Sequence, residues 1–143
     1  MKISFSPPDV TVQEADEVRE ALLSGWITTG PRTKEFERQI AAFCHTDKAV
    51  CQSSATACLE SILRILGIGP GDEVITSAYT YTASASPVCH VGAKLVLIDT
   101  LPDSYEMDYD RLAEAINEHT KVVIPVDLGG VPCDYNKVME AVE

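Results

Sequence analysis

A regular alternation of short apolar segments with helical segments runs from residue 49 to the end of the chain and limits the folds available to it. The apolar segments occupy residues 49–51, 73–75, 95–98 and 122–126. Helical periodicity follows them at about 56–66, 82–91, 109–118 and 135–143. Strand and helix alternate in this way when parallel strands are joined by crossover helices. The sequence therefore predicts an α/β fold with a mainly parallel sheet covered by helices.

Two further helices are predicted before this pattern begins. Thr11-Val12-Gln13-Glu14 has the form of a capping box, and Gly25 is a stop signal, which together predict a helix over 12–24. A loop then leads to a second helix whose apolar stripe is Phe36, Ile40 and Phe43.

Charge and cysteine content narrow the possible partners. The chain has 143 residues, 22 of them acidic and 11 basic, for a formal net charge of -11. Because the basic residues are scattered, nucleic acid is not expected as a partner, and a phosphorylated ligand must be held by local groups.

The five cysteines lack the spacing of a metal site. Since the sequence shows no signal peptide, the cysteines are expected to be reduced thiols, which predicts a cytoplasmic protein. No apolar run is long enough for a membrane span.

The stretch from Cys51 to Ala57, which turns from the first predicted strand into its helix, is rich in small and hydroxyl residues. The free amides and dipole at a helix start favour an anion, and small side chains let a phosphate approach them. An ordinary Ser/Thr helix cap would explain the same residues, so the turn alone leaves both interpretations open.

Tyr79-Thr80-Tyr81 follows the next predicted strand, at the carboxyl edge where ligands of open α/β folds bind. An aromatic ring at this edge can stack on a planar cofactor, although a tyrosine that packs against the protein is an equally simple explanation.

Four segments in order, at 25–31, 53–57, 71–76 and 124–127, carry a resemblance to a known family. Their sequences are Gly-Trp-Ile-Thr-Thr-Gly-Pro, Ser-Ser-Ala-Thr-Ala, Gly-Asp-Glu-Val-Ile-Thr and Ile-Pro-Val-Asp. The chain resembles the DegT/DnrJ/EryC1/StrS aminotransferases over nearly its whole length. The resemblance implies fold type I of the pyridoxal-phosphate enzymes, and a homodimer with active sites near the subunit interface. It also implies transfer of an amino group from glutamate to a nucleotide-linked keto-sugar.

The resemblance also assigns residues by position. The cofactor phosphate is expected at the turn formed by Ala55, Thr56 and Ala57. The ring that stacks on the cofactor is expected to be Tyr81. The loop that borders the substrate site is expected to consist of Thr28, Thr29 and Gly30.

Three departures from the family pattern limit these expectations. His45 stands where many relatives have glycine, a change expected to affect only a turn. Asp127-Leu128-Gly129-Gly130 replaces a more frequent histidine-containing version of this segment. The aspartate that pairs with the cofactor's ring nitrogen and the Schiff-base lysine are both expected beyond residue 143. We therefore expect residues 1–143 to be an incomplete N-terminal part of the cofactor-binding large domain. Alone, this part should be inactive and should bind pyridoxal phosphate weakly or not at all.

Two other classes of protein fit the sequence alone. A free-standing phosphate- or nucleotide-binding α/β module would keep the turn without any catalysis, although no G-x-G-x-x-G or Walker A segment is present. A non-catalytic interaction protein would use the aminotransferase dimer surface only for association.

Overall fold

The computed structural model describes residues 7–143, which belong to two compact units, Met1–Cys51 and Gln52–Glu143. No helix in this described part is long and apolar enough to cross a membrane.

The first unit contains two helices, α1 (Val12–Leu23) and α2 (Pro31–Phe43). The predicted capping box is confirmed, because Thr11 Oγ1 accepts from the N–H of Gln13 at 3.2 Å and the Glu14 carboxylate accepts from the N–H of Thr11 at 2.6 Å. Gly25 adopts a left-handed φ of 73° just after α1, as a helix stop requires. Pro31 occupies the first turn of α2, where its missing N–H costs nothing.

These two helices bury little of their apolar surface within the described residues. No residue of α1 is buried, and Ala41 is the one buried residue of α2. Leu22 of α1, and Phe36 on the predicted apolar stripe of α2, remain more than half exposed. Ion pairs from Arg32 to Glu17 and Glu20 join the helices at their solvent side.

The predicted strand at 49–51 does not form. The N–H of Cys51 donates instead to Glu37 Oε1 at 2.8 Å, so a side chain takes the place of a neighbouring strand. His45 ends the preceding turn with a φ of 53°, in the left-handed region that glycine occupies most readily. This geometry agrees with the expectation that a histidine in place of glycine changes only a turn.

The second unit is a parallel α/β sandwich. Its helices and strands are α3 (Ala55–Ile65), β1 (Glu73–Ser77), α4 (Ser86–His90), β2 (Lys94–Ile98), α5 (Tyr109–Ala115), β3 (Thr120–Ile124) and α6 (Tyr135–Val142). The strand order is β2-β1-β3, and both pairings are parallel. The α/β fold predicted from the sequence is thus confirmed. The helix predicted over 82–91 divides into a 3₁₀ turn at Thr82–Ser84 and the short α4.

Helices cover both faces of this sheet. On one face Val74 packs with Leu63 of α3 and Val88 of α4. On the other face Ile75 packs with Leu112 of α5 and with other residues of α5 and α6. All five residues of the central strand β1 are buried, because the strand has a neighbour on each edge and helices on each face.

Glu73 is a buried acid that fastens the amino ends of the strands. Its carboxylate accepts from Lys94 Nζ at 2.5 Å and from Asn117 Nδ2 at 2.9 Å, and its N–H donates to His119 O at 2.8 Å. The hydrogen bond from Lys94, followed by that from Asn117, lowers the pKa of Glu73 below its ordinary value.

Replacing Glu73 by glutamine should therefore make stability less dependent on pH. A carboxyl group whose pKa is lowered by folding stabilises the protein above its unfolded pKa, and this contribution disappears as the pH falls through the folded pKa. At pH 7, Glu73→Gln should unfold at lower denaturant concentration than the parent chain. The difference should shrink as the pH is lowered below the ordinary pKa of 4.5.

Glu118→Gln is the matched control, because the Glu118 side chain is 88% exposed. Denaturant midpoints measured from pH 7 to pH 3 would contradict this account if Glu73→Gln and Glu118→Gln followed the same curve.

Candidate cofactor-binding site

The site begins at the first turn of α3. Ser54 is the N-cap, with an extended backbone, and its Oγ accepts from the N–H of Ala57 at 3.1 Å. The first backbone bond of the helix runs from the N–H of Cys58 to Ser54 O at 3.1 Å. The N–H groups of Ala55 and Thr56 precede that bond and have no intrahelical acceptor. Within residues 7–143 they are the free donors of this turn.

The start of α3 lies level with the carboxyl end of β1. An 11-residue helix is about 16 Å long, and a five-residue strand is about 17 Å long. A short connection joins the end of α3 to the start of β1, so the helix returns antiparallel to the strand. Its packing against the Thr82–Ser84 turn, which follows β1, agrees with this direction.

Tyr81 immediately precedes that turn and presents a free ring. It is 80% exposed, and its carbonyl accepts from the N–H of Ser84 at 3.0 Å. Tyr79 is already occupied, because it stacks on Tyr105 with ring centroids 5.2 Å apart and an angle of 18° between the planes. Tyr79 is 54% exposed, so Tyr81 has the more exposed ring of the two tyrosines in the segment, and nothing in residues 7–143 stacks on it.

The first turn of α3 suits the phosphate of pyridoxal phosphate, and Tyr81 suits its ring. Ala55 is exposed and Thr56 is half-buried, so the side chains leave the free amides accessible and add one hydroxyl. The positive end of the α3 dipole would favour the phosphate. Tyr81, on the element that packs against α3, offers a planar face for the ring.

Asp127, in a segment expected to depart from the family pattern, is engaged in local structure. Its Oδ1 accepts from the N–H of Cys133 at 2.9 Å, and its carboxylate accepts from the Tyr135 hydroxyl at 3.0 Å. The Cys133 N–H, and then the Tyr135 hydroxyl, lower the pKa of Asp127. This aspartate therefore holds the turn between β3 and α6.

The three predicted substrate-loop residues lie in the other unit, between α1 and α2. A cavity of about 530 Å³ opens there, and Thr28 and Gly30 are among its lining residues while Thr29 is not. The predicted residues thus fall into two groups, one in each unit.

Comparison with known proteins decides the family. Residues 8–143 match the sequence profile of the DegT/DnrJ/EryC1/StrS aminotransferase family. The chain belongs to this family. The match favours the aminotransferase interpretation over a free-standing phosphate-binding module.

Two curated members of the DegT/DnrJ/EryC1/StrS family illustrate the relationship. The spore coat polysaccharide biosynthesis protein SpsC of Bacillus subtilis is 39% identical over 137 residues, which cover 96% of this chain and 35% of SpsC. The UDP-4-amino-4-deoxy-L-arabinose–oxoglutarate aminotransferase of Shewanella sediminis is 38% identical over 133 residues, covering 93% of this chain and 34% of that enzyme. The chain therefore spans about a third of the length of these relatives.

Solved structures confirm the fold. Spr1654 from Streptococcus pneumoniae, assigned as a sugar aminotransferase, superposes in its PLP form with a TM-score of 0.94 and 56% identity. The alignment covers 99% of this chain and 36% of that one. The DegT/DnrJ/EryC1/StrS aminotransferase from Brucella abortus superposes with a TM-score of 0.81 and 31% identity over 88% of this chain and 36% of that one. The predicted class, fold type I of the pyridoxal-phosphate enzymes, is confirmed.

One residue that the sequence assignment left out, Ser54, supports the candidate site. Ser54 orients the first turn of α3 through its bond to the Ala57 N–H, yet the resemblance pointed only to the three residues after it. The signal was present, since a serine directly before a helical segment is a strong N-cap candidate.

Ser54→Ala should therefore destabilise the chain by about 1 kcal/mol, the typical cost of losing a helix N-cap. Ser53→Ala is the matched control, because Ser53 is the neighbouring serine and lies outside the cap position. Chemical denaturation of both variants checks the prediction, and equal losses of stability would show that the cap bond contributes nothing particular.

Proposed function

We propose that this chain forms the N-terminal part of the pyridoxal-phosphate-binding large domain of a sugar aminotransferase. The observation that carries the proposal is the pair of free amides at the start of α3 beside the open ring of Tyr81, in a member of an aminotransferase family. The proposed domain comprises residues 1–143, and a longer protein would supply its remainder.

The phosphate of the cofactor would bind at Ala55, Thr56 and Ala57. The N–H groups of Ala55 and Thr56 would donate to phosphate oxygens, and the Thr56 hydroxyl would add a third bond. Ala57 is half-buried, and its small side chain keeps the turn open while its N–H stays with Ser54. Neutral donors at a helix start bind an anion without a nearby cation, as a chain with a net charge of -11 requires.

The Tyr81 ring would stack on the cofactor's pyridine ring and keep water from that face. Offset stacking of two planar rings contributes about 0.5–1.5 kcal/mol beyond the buried area. When bound, pyridoxal phosphate supplies the electron sink that lets an amino group move between carbon atoms.

The proposed reaction transfers an amino group from glutamate to a nucleotide-linked keto-sugar, in polysaccharide or amino-sugar biosynthesis. The names of the two curated relatives support it, one through spore coat polysaccharide and the other through a UDP-linked amino sugar and oxoglutarate, the keto acid that corresponds to glutamate. Thr28, Thr29 and Gly30 would border the sugar substrate.

The assembly and the location are proposed on narrower grounds. A homodimer or larger self-associate would cover apolar side chains such as Leu23 and Phe43, which are 77% and 82% exposed. A cytoplasmic location fits five cysteines that are all free thiols.

The 143-residue chain by itself should have no aminotransferase activity, because none of its six lysines lies in the sequence context of the family's catalytic lysine.

Thr56→Val and Tyr81→Ala should each weaken the binding of pyridoxal phosphate. The valine removes a hydroxyl bond to a charged group, at a cost of about 1–2 kcal/mol, or roughly a 5- to 30-fold rise in Kd. The alanine removes the stacking face. The prediction applies to the longer protein that the proposal implies, because the 143-residue chain alone is expected to bind pyridoxal phosphate weakly or not at all. The rate at which dialysis strips the cofactor from each variant and from the parent measures both effects.

The controls are Thr33→Val, in the first turn of α2, and Tyr105→Ala, whose ring stacks on Tyr79. If these variants lose as much affinity as Thr56→Val and Tyr81→Ala, or if all four bind like the parent, the cofactor site has been assigned to the wrong residues.

A further inference from the structure

Trp26, the one tryptophan of the chain, connects the end of α1 to the start of α2. Its indole Nε1–H donates to Thr29 O at 3.1 Å. Its backbone N–H donates to Ser24 Oγ at 3.1 Å, and that hydroxyl donates to Ala21 O in the last turn of α1 at 2.7 Å. The hydrogen bonds of a single residue thus fix both ends of the intervening loop.

Gly30 lies directly against the indole ring of Trp26. A Cβ at residue 30 would lie 2.1 Å from Trp26 Nε1 and 2.6 Å from Cδ1, far inside van der Waals distance. The backbone φ of Gly30 is -163°, which any residue adopts, so the close indole is what requires glycine here. An alanine could be accommodated only by moving the indole away from Thr29.

The packing of Trp26 on Gly30 gives Thr28 and Thr29 different surroundings. Thr28 lines the cavity of about 530 Å³, together with Trp26 and Ile27, and Thr29 is not among its lining residues. Thr29 is held through its carbonyl by the indole. The Trp26 side chain is itself 58% exposed, so part of its aromatic face is open to a ligand in the cavity.

We propose that Trp26 is a positioning residue for the substrate loop. It fixes the Thr29 carbonyl and packs on Gly30, and it thereby holds the Thr28 hydroxyl toward a nucleotide-linked sugar that lies against the indole. The ligand class rests on the proposed function, whereas the arrangement of Trp26, Thr29 and Gly30 is a property of this unit alone. Thr28 is then the side chain that contacts the ligand, and Thr29 acts through its backbone.

The fluorescence of the single tryptophan tests this directly. The 143-residue chain is titrated with UDP-glucose as a nucleotide-sugar probe, and the Trp26 emission should change with saturation. Gly30→Ala should show red-shifted emission before any ligand is added, and about tenfold weaker binding. Thr28→Val should weaken binding more than Thr29→Val does.

Ser24→Ala is a second variant that adds no atoms and so avoids the steric penalty of Gly30→Ala. It removes the anchor of the Trp26 N–H, and it should shift the emission and weaken binding in the same direction while circular dichroism stays unchanged. Gly69→Ala is the glycine control, because a Cβ there would meet only Val91 O, at an ordinary 3.7 Å. It should keep the emission and affinity of the parent.

Three results would overturn the proposal. The first is a parent emission that does not respond to UDP-glucose. The second is a parent-like spectrum and affinity in both Gly30→Ala and Ser24→Ala, and the third is weaker UDP-glucose binding by Thr29→Val than by Thr28→Val. Pyridoxal phosphate binding, measured on the same samples, separates this result from the proposed function. If the chain binds pyridoxal phosphate through Thr56 and Tyr81 but does not bind UDP-glucose, the proposed cofactor site stands and the proposed role of Trp26 is wrong. If it binds UDP-glucose as predicted but Thr56 and Tyr81 do not affect pyridoxal phosphate binding, the role of Trp26 stands and the proposed cofactor site is wrong.

Discussion

The burial of β1 between two parallel neighbours is the constraint on which the rest of the Gln52–Glu143 unit depends. Both edges of the strand are paired, and its faces pack against α3 and α4 on one side and α5 and α6 on the other. Each helix must therefore return antiparallel to the strands before the next strand can begin. The start of α3 and the loop after β1 are brought to the same end of the sheet as a result.

That placement leaves neutral donors where the phosphate of the proposed cofactor would bind. The Ser54 hydroxyl holds the Ala57 N–H, and the N–H groups of Ala55 and Thr56 remain as donors at the positive end of the helix. A chain with twice as many acidic as basic residues gains from this arrangement, because the field around the whole chain does not attract a phosphate. The proposed cofactor site uses the backbone where another protein would use lysine or arginine.

Most of the elements could be predicted from local sequence, and the differences have physical causes. Thr11 caps the helix that it was expected to begin, and Asp108 and Asp134 cap the helices predicted from about residues 109 and 135. Residues 49–51 have strand composition but do not pair as a strand, and Glu37 takes up one of their donors. The helix expected over 82–91 begins only at Ser86, because Pro87 is tolerated in a first turn and not further along.

The candidate site was only partly accessible to the same reasoning. The turn before α3 and the segment after β1 stood out because one begins a helix and the other follows a strand, but Ala55, Thr56, Ala57 and Tyr81 were assigned through the family resemblance. The occupation of Tyr79 by Tyr105 depends on two residues far apart in the chain. The contact of Trp26 with Gly30 likewise has no signature in spacing or periodicity, because it is set by how the loop closes.

Backbone amide chemical shifts of the chain, recorded during addition of pyridoxal phosphate and separately of pyridoxal, test the central claim most directly. The account predicts that the Ala55 and Thr56 amide signals move with pyridoxal phosphate and stay in place with pyridoxal, since those two N–H groups bind the phosphate. Movement of the same signals by both compounds, or movement confined to amides outside the first turn of α3, would contradict it.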